Sequence, residues 1–262
     1  MKSSSRQLVS HGPFRADQLR TGDPYELSEG HPVSCLPTGG RGSKASTVGA
    51  GVLASDPAVQ DVGFDTGYSP APDTLRAPDL AVGSIPDEPG WVKGAPPLAV
   101  EYADTGQDEA ELSLKIQELL AAGTRHVWVV RLAGPRRVEV HQKGTAMTVA
   151  RPGDELRAEG ILANPVPVEA LYDREAAREV VLRNLLQREG YASLEEVRAE
   201  GEAATLRADI VDVLAARGLS AGDDLRAALA GTNDPHVLRA LLRQAATASS
   251  AAELFATLQA RP

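Results

Sequence analysis

The sequence predicts an α/β protein: a mixed β-sheet core flanked by helices, followed by an α-helical C-terminal region. Three observations carry this. Short runs dominated by Val, Leu and Ala at residues 79–82, 98–102 and 126–132 have the length and character of buried strands. Leu112, Ile116, Leu119 and Leu120 repeat at helical spacing between the last two runs. From residue 167 onward the period becomes helical throughout, which divides the chain into an N-terminal segment (1–22), an α/β domain (23–170) and a helical region (171–262).

Taken in order, residues 1–22 are polar and mixed, with Ser3, Ser4 and Ser5 near the start, and read as a loose terminus or short helix. Tyr25-Glu26-Leu27 and His31-Pro32-Val33 form a hairpin around Glu29-Gly30. Gly39, Gly40 and Gly42 suggest a flexible loop, and residues 43–53 a small-residue helix ending before Asp56-Pro57. Residues 59–75 alternate apolar and polar side chains around Gly63, Gly67 and Pro70, as strands and turns do.

The helix over 110–122 stops at Gly123, a C-terminal signal. A strand, helix, strand series makes a crossover and joins two parallel strands. Residues 136–141 and 146–149 add a hairpin, so the sheet is mixed. Helices follow at 173–188, 193–217, 224–229, 236–246 and 251–258, and Ser193-Leu194-Glu195-Glu196 has the form of a capping box. This helical region reads as a packing, oligomerisation or partner-docking module.

The chain has 262 residues, enough for a full core with a helical appendage. Its net charge of −9 counts against a protein whose main work is clamping nucleic acid, because phosphate neutralisation by Lys and Arg supplies most non-specific affinity. A nuclease remains compatible, since metal sites add carboxylates. The single cysteine, Cys35, excludes a disulfide framework within the chain and a Cys-based zinc site. It reads as a small buried residue and fits a reducing, cytoplasmic setting. No apolar run has the length of a signal peptide or a membrane span.

Charges placed beside apolar runs are the candidates for chemistry. Asp79 opens the first run, Glu101 sits inside the second, and Lys115 lies on the helix that follows. Two carboxylates on neighbouring strands hold a divalent cation through oxygen, and a lysine beside them orients a water or stabilises developing charge. An unpaired carboxylate in an apolar strand is costly, which argues for a use. The five histidines show no zinc-like spacing. Gly39-Gly40-Arg41-Gly42-Ser43-Lys44 lacks the ending of a phosphate loop, and Arg136 and Arg137 read as solvated charges in a turn. Trp91 and Trp128 read as packing groups.

Glu26-Leu27 with Gly30, Arg76-Ala77-Pro78-Asp79, Pro97-Leu98-Ala99-Val100-Glu101, Lys115, Gly123 and Trp128 together resemble the Uma-type (Uma two) family, named for restriction endonucleases, in the PD-(D/E)xK nuclease superfamily. The resemblance spans about residues 25–132. It implies a restriction-endonuclease-like fold and Mg²⁺-dependent phosphodiester hydrolysis, with Mn²⁺ as an alternative cation and DNA as substrate. It makes Asp79 and Glu101 the metal ligands, Lys115 the catalytic lysine and Glu26 an additional acid that assists a second metal or the water network. Ala103 stands where the superfamily lysine would sit on the strand, so the lysine comes from the helix. The sequence departs from the family at Asp104-Thr105, Leu119, Arg131 and His126, and near Lys44, where the family carries a histidine. Pairing of two copies would serve double-strand cleavage. The alternatives are a catalytically silent binding protein on the same fold, or a nuclease subunit whose partner supplies nucleic-acid affinity.

Overall fold

The structure is a computed structural model and describes residues 12–35 and 37–260. Residues 1–11, the first half of the N-terminal segment with His11 and Ser3, Ser4 and Ser5, lie outside the described residues. The chain divides into two units, residues 1–188 and 189–262.

After a short 3-10 helix at Ala16–Gln18, the first unit continues with strands β1 (Tyr25–Ser28) and β2 (His31–Ser34), then helix α1 (Gly40–Ser55). Strands β3 (Asp61–Phe64), β4 (Tyr68–Ala71), β5 (Thr74–Arg76), β6 (Leu80–Gly83), β7 (Val92–Lys93) and β8 (Leu98–Ala103) lead into helix α2 (Glu109–Ala122). Strands β9 (His126–Arg131), β10 (Arg137–Gln142), β11 (Thr148–Ala150), β12 (Glu155–Leu156) and β13 (Val166–Pro167) precede helix α3 (Arg174–Arg188). A five-stranded sheet has the order β2-β1-β5-β4-β7, and a six-stranded sheet the order β11-β10-β9-β8-β6-β3. In the larger sheet β8 and β9 are parallel, joined by α2 as the crossover, while β6 runs antiparallel to β8.

The period of two in β8 decides what its side chains meet. Leu98, Val100 and Tyr102 enter the main core with Leu53 of α1 and Ala177 and Val180 of α3. Ala99 and Ala103 face Leu112, Ile116 and Leu119 of α2. Glu101, between those alanines, therefore points to the α2 side. The main core is tight: a Cβ added at Gly49 of α1 would stand 1.9 Å from the Tyr102 hydroxyl, which donates to Leu171 O at 3.0 Å. That contact requires glycine and anchors the strand carrying Glu101. Helix α2 is capped by Asp108, which accepts from Ala110 N and Glu111 N, and ends at Gly123 with φ 115°.

Four expectations change. The glycines of residues 39–42 do not form a loop, since α1 begins at Gly40. The N-terminal segment is not separate throughout, because Ala16 and Leu19 are buried with Leu27 and Leu75, and Trp91 Nε1 donates to Ala16 O. The division of the chain falls after Arg188 rather than near residue 170. Helix α3 is bound to the first unit by buried Asn184, which donates to Ser55 Oγ, and by Arg188, whose guanidinium donates to the carbonyls of Ser55 and Val59. The fourth concerns a cap. Ser193 accepts from Glu196 N, but the Glu196 carboxylate accepts from Ala192 N, so the reciprocal half of the box is displaced by one residue.

The second unit comprises α4 (Leu194–Ala216), α5 (Asp223–Ala230), α6 (Pro235–Ala245) and α7 (Ala251–Gln259). Leu206, Ile210, Leu214, Leu225, Leu238, Leu241 and Leu254 form its own core. Among the described residues no helix is long and apolar enough to cross a membrane.

Candidate active site

The pairing of β6 with β8 brings the two predicted acids together. Leu80 pairs with Val100, so the next position in register sets Asp79 opposite Glu101. Asp79 stands just before β6, and its Oδ2 accepts from Tyr102 N at 2.6 Å, which leaves Oδ1 to act. Glu101 is 7 % exposed.

Lys115 reaches the same point from α2, one turn along the face that buries Leu112. Its Nζ lies 2.9 Å from Glu101 Oε1 and 3.0 Å from Glu26 Oε1, and donates to Ala77 O at 2.7 Å. Glu101 Oε1 is buried with the Lys115 ammonium beside it and no further hydrogen-bond donor among the described residues. Glu26, in β1, is 6 % exposed and also faces Arg76 Nη1 at 3.1 Å. All four residues named from the sequence thus converge: Asp79, Glu101, Lys115 and Glu26.

The electrostatics are those of a site with too many buried acids. Burial pushes Glu101 up to about 8, against the pull of Lys115 and with the charges of Asp79 and Glu26 adding to the rise. Asp79 is raised as well, chiefly by burial, with Tyr102 N–H and Lys115 opposing. For Lys115 burial disfavours the charge, but Glu101, Glu26 and Asp79 outweigh it and hold the ammonium protonated.

The donor set suits a hard divalent cation. Asp79, just before β6, and Glu101, in β8, offer oxygen ligands at facing positions, and the buried Glu101 Oε1 has only the Lys115 ammonium beside it. Among the described residues no three His, Cys, Asp or Glu side chains form a ready ligand cluster, so a cation here would draw on two carboxylates and leave its other positions to water and substrate oxygen.

Three residues near this point were not singled out from the sequence for a role. Arg76, 1 % exposed, and Glu118 of α2 pair with each other beside Glu26. Glu118 lies three positions after Lys115, a spacing that puts both on one helix face and could have signalled it. Asp65, following β3 with φ 47°, is coupled to Lys115 and Glu26, and desolvation raises its pKa.

Other readings resolve differently. Cys35 is exposed rather than buried, because it lies just past the β2 edge. Desolvation and the nearby Glu26 charge push its thiol up to about 11, so it holds no thiolate. Arg136 is not simply solvated but stacks 4.5 Å above the Tyr172 ring, and Arg137 pairs with Glu139 at 3.0 Å. Trp128 is fully buried and Trp91 packs beside Leu27 and Leu75.

A family model, Uma2, described as "Putative restriction endonuclease", matches residues 14–167. The chain belongs to the Uma2 family. A crystal structure described as "a putative nuclease belonging to DUF820 from Anabaena variabilis" superposes with a TM-score of 0.54 at 18% identity, covering 63% of this chain and 99% of that chain. That likeness supports the restriction-endonuclease-like fold of this Uma2 member. No curated protein matches the chain. The Uma2 match begins at Phe14, which agrees with the packing of Ala16 and Leu19 into the first unit.

Proposed function

We propose that this Uma2 protein is a metal-dependent endonuclease that hydrolyses phosphodiester bonds in DNA. The observation that carries the reading is the convergence of Asp79 and Glu101 on paired strands with the Lys115 ammonium 2.9 Å from Glu101. A bound Mg²⁺ or Mn²⁺ supplies Lewis acidity to the scissile phosphate and lowers the pKa of a coordinated water. Asp79 Oδ1 and Glu101 would hold that ion. Lys115 donates from a fixed ammonium, held by Ala77 O and Glu26, and so positions the attacking water or a phosphate oxygen. Two copies acting together would cut both strands.

The test is plasmid cleavage in Mg²⁺ or Mn²⁺ by the full chain, compared with Asp79→Ala and Lys115→Ala. Wild-type nicking lost in both variants supports the site; cleavage unchanged by both sinks the assignment. The net charge of −9 favours one second reading, a nuclease subunit whose basic partner supplies DNA affinity. It predicts that the isolated chain binds Mg²⁺ by calorimetry yet cleaves only when that partner is added. Absence of both metal binding and cleavage would favour a silent binding protein.

A further inference from the structure

The buried ion pairs do not stop at Lys115. Arg76, the last residue of β5, is 1 % exposed, and its guanidinium is shared between two carboxylates. Its Nε donates to Glu118, and its Nη1 lies 3.1 Å from Glu26 Oε2. Glu118 also accepts from Ser28 Oγ at 2.5 Å. The two oxygens of Glu26 therefore serve different cations, Arg76 on Oε2 and Lys115 on Oε1. Acidic and basic side chains alternate along the series Glu118, Arg76, Glu26, Lys115, Glu101, which leaves α2 at Glu118 and returns to it at Lys115.

A guanidinium this deep is poorly explained by stability, since an apolar residue of similar volume often serves a core as well or better. Its Nη2 is buried without a hydrogen-bond partner among the described residues, a further cost. What the arrangement provides is geometry. With Arg76 in place, Glu26 can offer only one oxygen to Lys115, and the ammonium is left within reach of Glu101 and Ala77 O. Without it, both Glu26 oxygens would turn to Lys115 and draw the ammonium away from Glu101.

We infer that Arg76 and Glu118 are positioning residues: they divide Glu26 between two cations and thereby hold the Lys115 ammonium against Glu101. Glu118 orients the guanidinium fork, Ser28 orients Glu118, and Glu26 acts as the link. The inference rests on the reading of Asp79, Glu101 and Lys115 as the hydrolytic site.

The experiment compares wild type, Arg76→Lys and Glu118→Gln in the full chain, each confirmed folded by circular dichroism. Arg76→Lys keeps the charge and loses the fork; Glu118→Gln keeps an acceptor for Arg76 Nε and loses the charge. Two readouts are taken: kcat and KM for cleavage of a DNA duplex with Mg²⁺, and the ¹⁵N ammonium resonance of Lys115, assigned by its loss in Lys115→Arg. Arg76→Lys is expected to lower kcat by about 10–100-fold at unchanged KM and to shift or broaden the Lys115 resonance, with Glu118→Gln acting in the same direction. Should Arg76→Lys misfold, Glu118→Gln decides by the same readouts. An unmoved Lys115 resonance in a folded variant overturns the inference, as does a raised KM with kcat intact. If the isolated wild type fails to cleave, its reading as a self-sufficient nuclease falls, while the ammonium resonance still decides whether the clamp positions Lys115.

Discussion

Two ionic clusters sit on the same sheet and behave oppositely. Around Arg131, at the end of β9, Nη1 meets Glu109 at 2.6 Å and Nη2 meets Glu139 at 2.8 Å, while Arg137 adds a second cation to Glu139 at 3.0 Å. There burial opposes charge on Glu139, but Arg131 and Arg137 outweigh it and its pKa is lowered. Around Lys115 one ammonium faces Glu101 and Glu26, with Asp79 close by, and Glu101 is driven up to about 8. The first cluster is electrostatically satisfied and the second is not. A buried group of acids that outnumbers its cations is what an added cation would relieve, whereas a balanced group is explained by packing alone.

The sharpest way to break this contrast is cleavage. Asp79→Ala and Lys115→Ala should each cost on the order of 100-fold or more in rate, while Arg131→Met should change it by less than about twofold. Comparable losses at both clusters would erase the distinction.

Next in size is stability against pH in the metal-free protein. Glu101 keeps its proton to about 8 when folded, against 4.5 as its ordinary value, so across that window the unfolded chain holds fewer protons and stability falls as pH rises. Denaturant melts in EDTA should show a decline on the order of 3 kcal/mol, abolished in Glu101→Gln. Glu139 has the opposite sign: its depressed pKa gives stability that is present above 4.5 and lost as pH falls. A flat wild-type profile above 4.5 would contradict the account of Glu101.

Addition of Mg²⁺ at about 100 times its Kd should then raise the melting temperature of the first unit by roughly 5 °C, an effect missing from Asp79→Ala. The smallest effect belongs to the saturated cluster, where Arg131→Met should cost about 1 kcal/mol, because Glu139 retains Arg137. A loss several times larger would make Arg131 a keystone rather than a packed pair.

Much of this was legible from the sequence. Apolar runs of strand length and the 112–119 helical repeat placed β6, β8, α2 and β9 within a residue or two, because hydrophobic period reports which face is buried. Asp79, Glu101 and Lys115 were visible beside those runs, and the family resemblance added Glu26. The glycines at 39–42 were misleading, since α1 begins at Gly40 despite glycine's usual preference for loops; the close approach to Tyr102 is made by Gly49 further along the helix. The unit boundary was misplaced because helical period cannot say which core a helix joins, and α3 joins the sheet's core through Val180 and Asn184.

What the sequence alone determined is local: residue types, their period, and the strand, helix, strand order that puts Glu101 and Lys115 on successive elements. What only the tertiary structure decided is pairing across distance. The β6–β8 register set Asp79 opposite Glu101, and the Arg76 to Glu118 contact, spanning 42 residues, joined two charges that look unrelated along the chain. Period is written in neighbouring residues, whereas the charge state of a buried acid depends on everything the fold brings within a few ångströms of it.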